Sequence, residues 1–400
     1  MNLVLFTHPP FLGSQSMPRF ADSLTLAFTA RGHRVTRRAP VERVRRLAPS
    51  APLAKWAGYV DQYLVFPREI SAGLRSDPTD TLYVFCDQAL GPWVPYVAHR
   101  PHVVHCHDLL ALRSALGQIP ENPTGLLGCA YQRYIRRGFG QSRHFISISQ
   151  KTQNDLHEHG GVRPVTSEVV YNGLNHPYMP MAPAVATDVL KAAKLPAVPH
   201  GLLLHVSGNQ WYKNVVGVVC LYAQYAAGQP QPLPLWLVGV HLDTALQAAL
   251  DEVPPQGRIE MLFNLDNRSL QAAYSLAQAF LFPSLAEGFG WPLVEAQACG
   301  CPVITTAEAP MNEVAGPHSR CLPRLQAHDD MQAWARHGAQ VLTELLTMPA
   351  DQRAALVQDC LAWSRRFDTD TAMESYLRVY QQVLDWERTH SPGAARKAGR

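Results

Sequence analysis

Two carboxylates, Glu287 and Glu295, stand eight residues apart and bracket the run Gly288-Phe289-Gly290-Trp291-Pro292-Leu293. The glycines free the backbone to approach a ligand closely. Pro292 suits the first turn of a helix, where its missing N–H is no loss. Gly300 can end that helix, and Pro302 forbids its continuation. A helix N-terminus carries unpaired N–H groups and a partial positive charge, so a glycine loop in front of one suits a phosphate or diphosphate. Carboxylates repel phosphate but accept hydrogen bonds from hydroxyls. A diphosphate between two polyhydroxylated rings satisfies both features, and that is the chemistry of a sugar nucleotide. Read alone, the same stretch is also compatible with an ordinary strand–turn–helix bearing two surface glutamates.

The elements around it alternate between strands and helices. Ala279–Phe282 is a short apolar strand stopped by Pro283, and Val303–Thr305 is the next. At the start of the chain a strand over 2–7, a loop over 8–14, a helix over 19–30 and a strand over 34–36 form a βαβ opening. Further strands are expected at 82–85, 102–107, 144–149 and from Val169 to an Asn172-Gly173 turn. Strands at 202–206, 235–238 and 259–263 follow, with helices over 215–226, 266–279, 331–346, 354–366 and 370–387. Residues 47–80 are rich in Pro and Ala and give no clear pattern.

Four hundred residues are enough for two or three domains, each with its own core. A hydrophobic content of 47% with 17% charged residues describes a folded, water-soluble chain. No apolar run nears the ~18–20 residues that span a bilayer. The opening Met-Asn-Leu-Val-Leu-Phe-Thr-His-Pro-Pro lacks the pattern of a signal peptide. The eight scattered cysteines therefore read as reduced cytosolic thiols. Net charge is +3, unevenly spread: residues 1–180 carry 19 Lys/Arg against 12 Asp/Glu, and 181–400 carry 16 against 20. Seven arginines fall within 31–46. Such a patch can attract anionic lipid or nucleic acid, or be a solvated face.

The run Pro283-Ser-x-x-Glu287-Gly-Phe-Gly-x-Pro-x-x-Glu295-Ala-x-Ala-x-Gly-x-Pro-Val303 resembles the signature of the retaining glycosyltransferases of family 4 (glycosyl transferases group 1). The resemblance implies the α/β GT-B fold: two Rossmann-like domains with parallel sheets facing across an interdomain cleft. It sets an acceptor-side domain at 1–178, a Pro-rich linker at 179–200 and a nucleotide-sugar-binding domain at 201–366. A helix at 367–387 is expected to cross back to the first domain, ahead of a mobile tail at 388–400. The implied reaction moves a hexose-type sugar from a nucleoside-diphosphate donor, GDP-mannose-like or a UDP-sugar, to a hydroxyl of a glycan or lipid-linked acceptor. Retention of configuration, no metal and no other cofactor are expected, and a role in bacterial surface polysaccharide or lipopolysaccharide assembly. The usual proposal for the family is a front-face reaction in which the departing phosphate oxygen takes the acceptor proton.

Carried over residue by residue, the resemblance makes Glu287, His107 and Lys213 catalytic. Glu287 positions the donor sugar. His107, in the family's His-Asp pair with Asp108, lines the sugar site. Lys213 is a point charge on the diphosphate. Donor binding falls to Gly13 and Ser14, where the family has a Gly-Gly pair, and to Gly208 and Asn209, where an arginine often stands. It also falls to Leu265 at the base, to the loop and helix start at Gly288, Phe289, Gly290, Trp291, Pro292 and Leu293, and to Glu295 at the ribose.

Other readings stand beside this one. His105 and His107 share a strand face and could begin a metal site, as could Asp368 with Asp370 or Cys299 with Cys301. Packing and helix capping also explain these residues, and no metal is expected. A non-catalytic sugar-nucleotide-binding partner subunit, a polymer synthase or an epimerase is compatible with the same motif. Nucleic-acid binding through the arginines lacks a recognised motif and is not expected. A cytoplasmic protein is expected, with Arg31–Arg46 as a candidate peripheral contact to anionic lipid at the inner face of the cell membrane.

Overall fold

The computed structural model describes residues 1–13 and 16–390. They form two compact units. The first comprises Met1–Ile119, Pro123–Asn175 and the helix Thr369–His390; the second comprises Pro120–Asn122 and His176–Asp368.

In the first unit six strands, β1 (Asn2–Phe6), β2 (Arg34–Arg38), β3 (Leu82–Phe85), β4 (His102–Cys106), β5 (His144–Ser147) and β6 (Thr166–Val169), lie in the order β2-β1-β3-β4-β5-β6. Every neighbouring pair is parallel. Residues of β3, β4 and β5 are buried throughout, the pattern of a parallel sheet covered on both faces. The strand order reverses between β1 and β3, which makes the C-terminal ends of those two strands the topological switch point.

One face of this sheet is covered by the C-terminal helix Thr369–His390. Its apolar residues recur at helical spacing, and Met373, Tyr376, Tyr380 and Val383 share a core with Leu3, Leu5, Phe20 and Phe28. Burying one such side chain is worth ~1.5–3 kcal/mol, so the helix is integral to the first unit. Tyr376 donates to Asn172 Oδ1 at 3.1 Å, and His105 Nε2 bonds the Tyr380 hydroxyl at 2.7 Å. The 47–80 stretch is also helical: Ala51–Val60, one wide turn over Asp61–Val65, and Phe66–Ser76. Buried Asp61 accepts the backbone N–H groups of Arg43, Val44 and Arg45 at 2.8–3.1 Å and so fixes the arginine-rich loop in front of it.

In the second unit β7 (Leu202–Val206), β8 (Leu235–Val238), β9 (Ile259–Leu262), β10 (Ala277–Phe282), β11 (Val303–Thr306) and β12 (Arg320–Leu322) run in the order β12-β11-β10-β7-β8-β9, again all parallel. Here the order reverses between β7 and β10. Residues 179–200, expected as a Pro-rich linker, belong to the second unit. They hold the helix Pro183–Ala192, which buries Ala186 and Leu190 and packs on the helix Asn267–Leu276 of the same unit. Pro183 sits in its first turn, where its missing N–H is no loss.

Candidate functional site

In the second unit the chain leaves β10 at Phe282 and Pro283, crosses a loop, and enters the helix Trp291–Ala298 through Gly290. Gly290 has φ +94°, and a Cβ there would meet Leu293 Cδ1 at 3.0 Å, so the turn requires glycine. Pro292 lies in the first turn. Leu293 to Ala298 are all buried, so the helix lies within the unit. It ends in a Schellman motif: Cys301 N–H bonds Ala296 O and Gly300 N–H bonds Gln297 O, both at 2.9 Å, with Gly300 at φ +77°. Gly288, Trp291 and Pro292 are half-buried, and buried Phe289 packs edge-on against Trp291 and Phe367.

Against this loop lies the turn that follows β7. Asn214, at φ +52°, donates from Nδ2 to Pro283 O at 3.0 Å. Leu285 N–H bonds Tyr212 O at 2.7 Å. Between these anchors Lys213 Nζ contacts Glu287 Oε1 at 2.7 Å, with side chains only 14% and 8% exposed. The ammonium also lies over the rings of Tyr212 and Phe282, 5.2 and 5.1 Å from their centroids. Two residues placed 74 apart in sequence are thus one charged pair at the switch point of this sheet. Glu287 Oε2 has no hydrogen-bond partner among the described residues and can still accept hydroxyls; Lys213 has two further N–H bonds to give.

Glu295 belongs to a different contact. It is 6% exposed and accepts the Tyr274 hydroxyl at 3.1 Å, one turn inside the helix start. Its negative charge and burial together hold the Tyr274 phenol well above its ordinary pKa, burial being the larger cause. Gly208 is half-buried just past β7, and exposed Asn209 accepts the His241 N–H at 2.6 Å, tying down the loop after β8. Leu265 is half-buried beside Asn264, which adopts φ +54°.

Local sequence pattern singles out few of the further residues around these loops of the second unit. Arg324, past β12, donates to Leu285 O at 2.8 Å and to Glu121 at 2.7 Å, and so braces the 283–287 loop. His205 in β7 is wholly buried between Leu281 O and Ser207; burial drives its pKa down to about 4, so it is a neutral strut. Phe263, stacked on His241 at 5.0 Å, is an exposed aromatic past β9. An aromatic at a strand end was the available signal for it. For Arg324 and His205 there was none, because their roles depend on chain segments distant in sequence.

In the first unit His107 follows β4. Its Nε2 bonds Cys86 O at 2.9 Å, its backbone N–H bonds Gln88 Oε1, and its ring meets Phe20 edge-on at 4.7 Å. Burial lowers its pKa against the opposing pull of Asp87, so it is a neutral imidazole with Nε2 already engaged. Gly13 caps a short 3-10 turn at φ +67°; Ser14 lies outside the described residues. Asp370 pairs with Arg31 at 2.7 Å. The arginine stretch is less basic than its composition suggests. Arg31, Arg37, Arg38, Arg43 and Arg45 pair with Asp370, Asp22, Asp77, Glu69 and Glu42, leaving Arg34 and Arg46 without an ion pair among the described residues. One unanticipated contact joins two strand ends: His8 Nε2 to Asp87 Oδ2 at 2.8 Å.

Residues 190–349 match the family model described as Glycosyl transferases group 1, and residues 17–177 match that described as Glycosyltransferase Family 4. O-antigen chain mannosyltransferase B of Escherichia coli is 30% identical over 141 residues, 35% of this chain and 36% of that protein. D-inositol 3-phosphate glycosyltransferase of Mycolicibacterium smegmatis is 31% identical over 185 residues, 46% of this chain and 38% of that one. The matches thus span less than two-fifths of those relatives' lengths. Among solved structures, Anabaena HepE in complex with UDP and glucose superposes with a TM-score of 0.66 at 17% identity, covering 96% of this chain and 100% of that one. That likeness is one of fold.

Proposed function

We propose that this chain, a family 4 glycosyltransferase of the GT-B fold, moves a hexose-type sugar from a nucleoside diphosphate to an acceptor hydroxyl with retention of configuration. The observation that carries the reading is the Lys213–Glu287 pair beside the glycine loop and helix start of the second unit. Lys213 and the positive end of the Trp291–Ala298 helix take the negative charge that develops on the departing diphosphate. Glu287 keeps Lys213 in place and accepts hydroxyls of the donor sugar through its open oxygen. Glu295, set deeper, serves the ribose and is oriented by Tyr274. Neutral His107 contributes through Nδ1, and the departing phosphate oxygen takes the acceptor proton, so no metal and no protein nucleophile is required. Two relatives are named for mannosyl or inositol-phosphate glycosyl transfer and one fold neighbour holds UDP. They favour GDP-mannose or a UDP-hexose as donor, and a surface glycan as product. Incubation with each donor and NMR of the anomeric product tests this. A retained α-linkage that forms equally well in EDTA is expected; an inverted product, or activity that EDTA abolishes and Mn2+ restores, overturns the mechanism.

No helix among the described residues is long and apolar enough to cross a membrane. A peripheral contact has a candidate face in the first unit. Leu47, Leu53, Trp56 and Leu64 are 76%, 53%, 60% and 58% exposed around an apolar groove, with Arg46, Lys55 and Arg68 exposed beside it. Exposed apolar side chains rimmed by cations fit an anionic bilayer surface. Co-sedimentation with phosphatidylglycerol vesicles, lost in Leu53→Asp/Trp56→Asp, is expected; binding indifferent to lipid charge or to these changes rejects the contact.

A further inference from the structure

We propose that His8 and Asp87 form an acceptor-binding pair, with His8 Nδ1 receiving a hydrogen bond from a hydroxyl of a neutral sugar acceptor. This rests on the glycosyl-transfer reading above and adds the group that holds the second substrate.

The argument begins with register. Phe6 of β1 pairs with Phe85 of β3, so His8 and Asp87, each two residues further on, stand level beyond the strand ends. They occupy the switch point of their sheet, where open parallel sheets bind ligands. In the second unit the corresponding point, beyond β7 and β10, carries Lys213 and Glu287. Each sheet therefore places one charged pair at the same topological position.

Bonding gives the pair its direction. Asp87 uses Oδ1 to accept the Ala89 N–H at 2.9 Å and Oδ2 to hold His8 at 2.8 Å, so both oxygens are engaged. In neutral His8, Nε2–H donates to Asp87 and leaves Nδ1 as an acceptor without a partner among the described residues. The side chains are 15% and 11% exposed, so the pair is mostly sheltered from water. A strap between strands would not need the contact, since Cys86 N–H already bonds Phe6 O there at 3.0 Å. In the neutral ring this nitrogen accepts a hydrogen bond from an O–H donor, which points to sugar hydroxyls.

Protonation controls this site. Burial pulls the His8 pKa down, but the Asp87 hydrogen bond and charge outweigh it and leave it above the ordinary histidine value. Burial pushes Asp87 up, and the contacts and charges of His8 and His107 bring it below the usual carboxylate range. The other groups facing the pair are His107 past β4, Cys106 at the end of β4, Cys86 past β3, Arg37 on β2 and Tyr131 on the Leu126–Phe139 helix. Burial keeps His107, Cys106, Cys86 and Tyr131 uncharged near neutrality, and Arg37 is paired with Asp22. Asp87 is thus the charge that sets His8.

The test uses the full chain labelled with 15N-histidine, titrated with methyl α-D-mannopyranoside and methyl α-D-glucopyranoside, with and without the nucleoside diphosphate that stabilises it. One glycoside should move the His8 ring signals and lower its apparent pKa, because it binds the neutral form. His8→Gln should weaken that glycoside about tenfold while leaving the thermal shift by nucleotide unchanged. Asp87→Asn should lower the His8 pKa in the free protein. A His8 signal that ignores both glycosides, or a glycoside affinity indifferent to His8→Gln, overturns the proposal. Absence of any nucleotide response falls on the donor reading instead, and the titration without nucleotide still decides this one.

Discussion

Replacing Lys213 by Met and Glu287 by Gln, singly and together, separates the two roles given to one charged pair. Lys213→Met leaves the Glu287 carboxylate, 8% exposed, without its partner. Breaking a fully buried pair from one side costs ~3–5 kcal/mol, and an exposed pair is worth ~0–1. With side chains 14% and 8% exposed, the cost here should lie nearer the buried limit, about 2–3 kcal/mol by urea denaturation. The same change removes a charge-assisted bond worth ~1.5–3 kcal/mol from the diphosphate, so the Kd for nucleoside diphosphate should rise roughly 10- to 150-fold by calorimetry. Glu287→Gln keeps the side chain's shape and releases the lysine. It should bind nucleoside diphosphate at least as tightly as wild type, yet transfer sugar ~100-fold more slowly. The two variants should therefore move nucleotide affinity in different directions. Equal losses of affinity in both, or wild-type affinity in both, would refute the division of labour.

Glu295→Ala should weaken nucleotide binding, and Tyr274→Phe should do so by a smaller factor, because the tyrosine only orients the carboxylate; titration of the free nucleotide checks both. Gly91→Ala should destabilise the first unit by ~1–3 kcal/mol in denaturant, since its Cβ would come within 2.4 Å of Ile135 O. The His8–Asp87 pair has a pH window. The lowered Asp87 pKa gives stability above ~3.9 that is lost as pH falls through the folded value, and the raised His8 pKa gives stability below ~6.5 that is lost as pH rises through its folded value. The stability gap between wild type and His8→Gln should therefore widen on going from pH 9 to pH 6.

The parts of the fold with strong local signals were legible. Strands at 82–85, 202–206 and 235–238 are buried apolar runs bounded by turn residues, and they appear at those positions. The helix over 331–346, with its alternation of apolar and polar faces, does as well. Residues 51–76 were opaque because Pro52 and Pro67 interrupt them; the prolines lie in first turns, and Trp56, Tyr59, Tyr63 and Phe66 already stood at helical spacing. Strand β12 escaped notice because it is three residues long and two of them are exposed. The last strand of the first unit lies at Thr166–Val169, ahead of the apolar Val169–Tyr171 run, because register with β5 fixed it. Around the site, the glycine loop and helix were readable because Gly, Pro and the closing Gly300 act locally. The salt bridge of Lys213 with Glu287, the burial of Glu295 on Tyr274 and the His8–Asp87 contact depend on strand order, which no local pattern encodes. The ion pairing of the 31–46 stretch was hidden in the same way, because four of its five carboxylate partners, Asp370, Asp22, Asp77 and Glu69, come from elsewhere in the chain.

A thermal-shift panel of GDP, UDP, dTDP and ADP with their common hexose conjugates tests the sugar-nucleotide site most directly. One base should stabilise the wild-type chain, by about 2.7 kcal/mol at a hundred times its Kd, and the stabilisation should fall to about 0.3–1.4 kcal/mol in Lys213→Met at the same concentration. Unfolding that none of these nucleotides delays would contradict a donor site built on Lys213, Glu287 and Glu295.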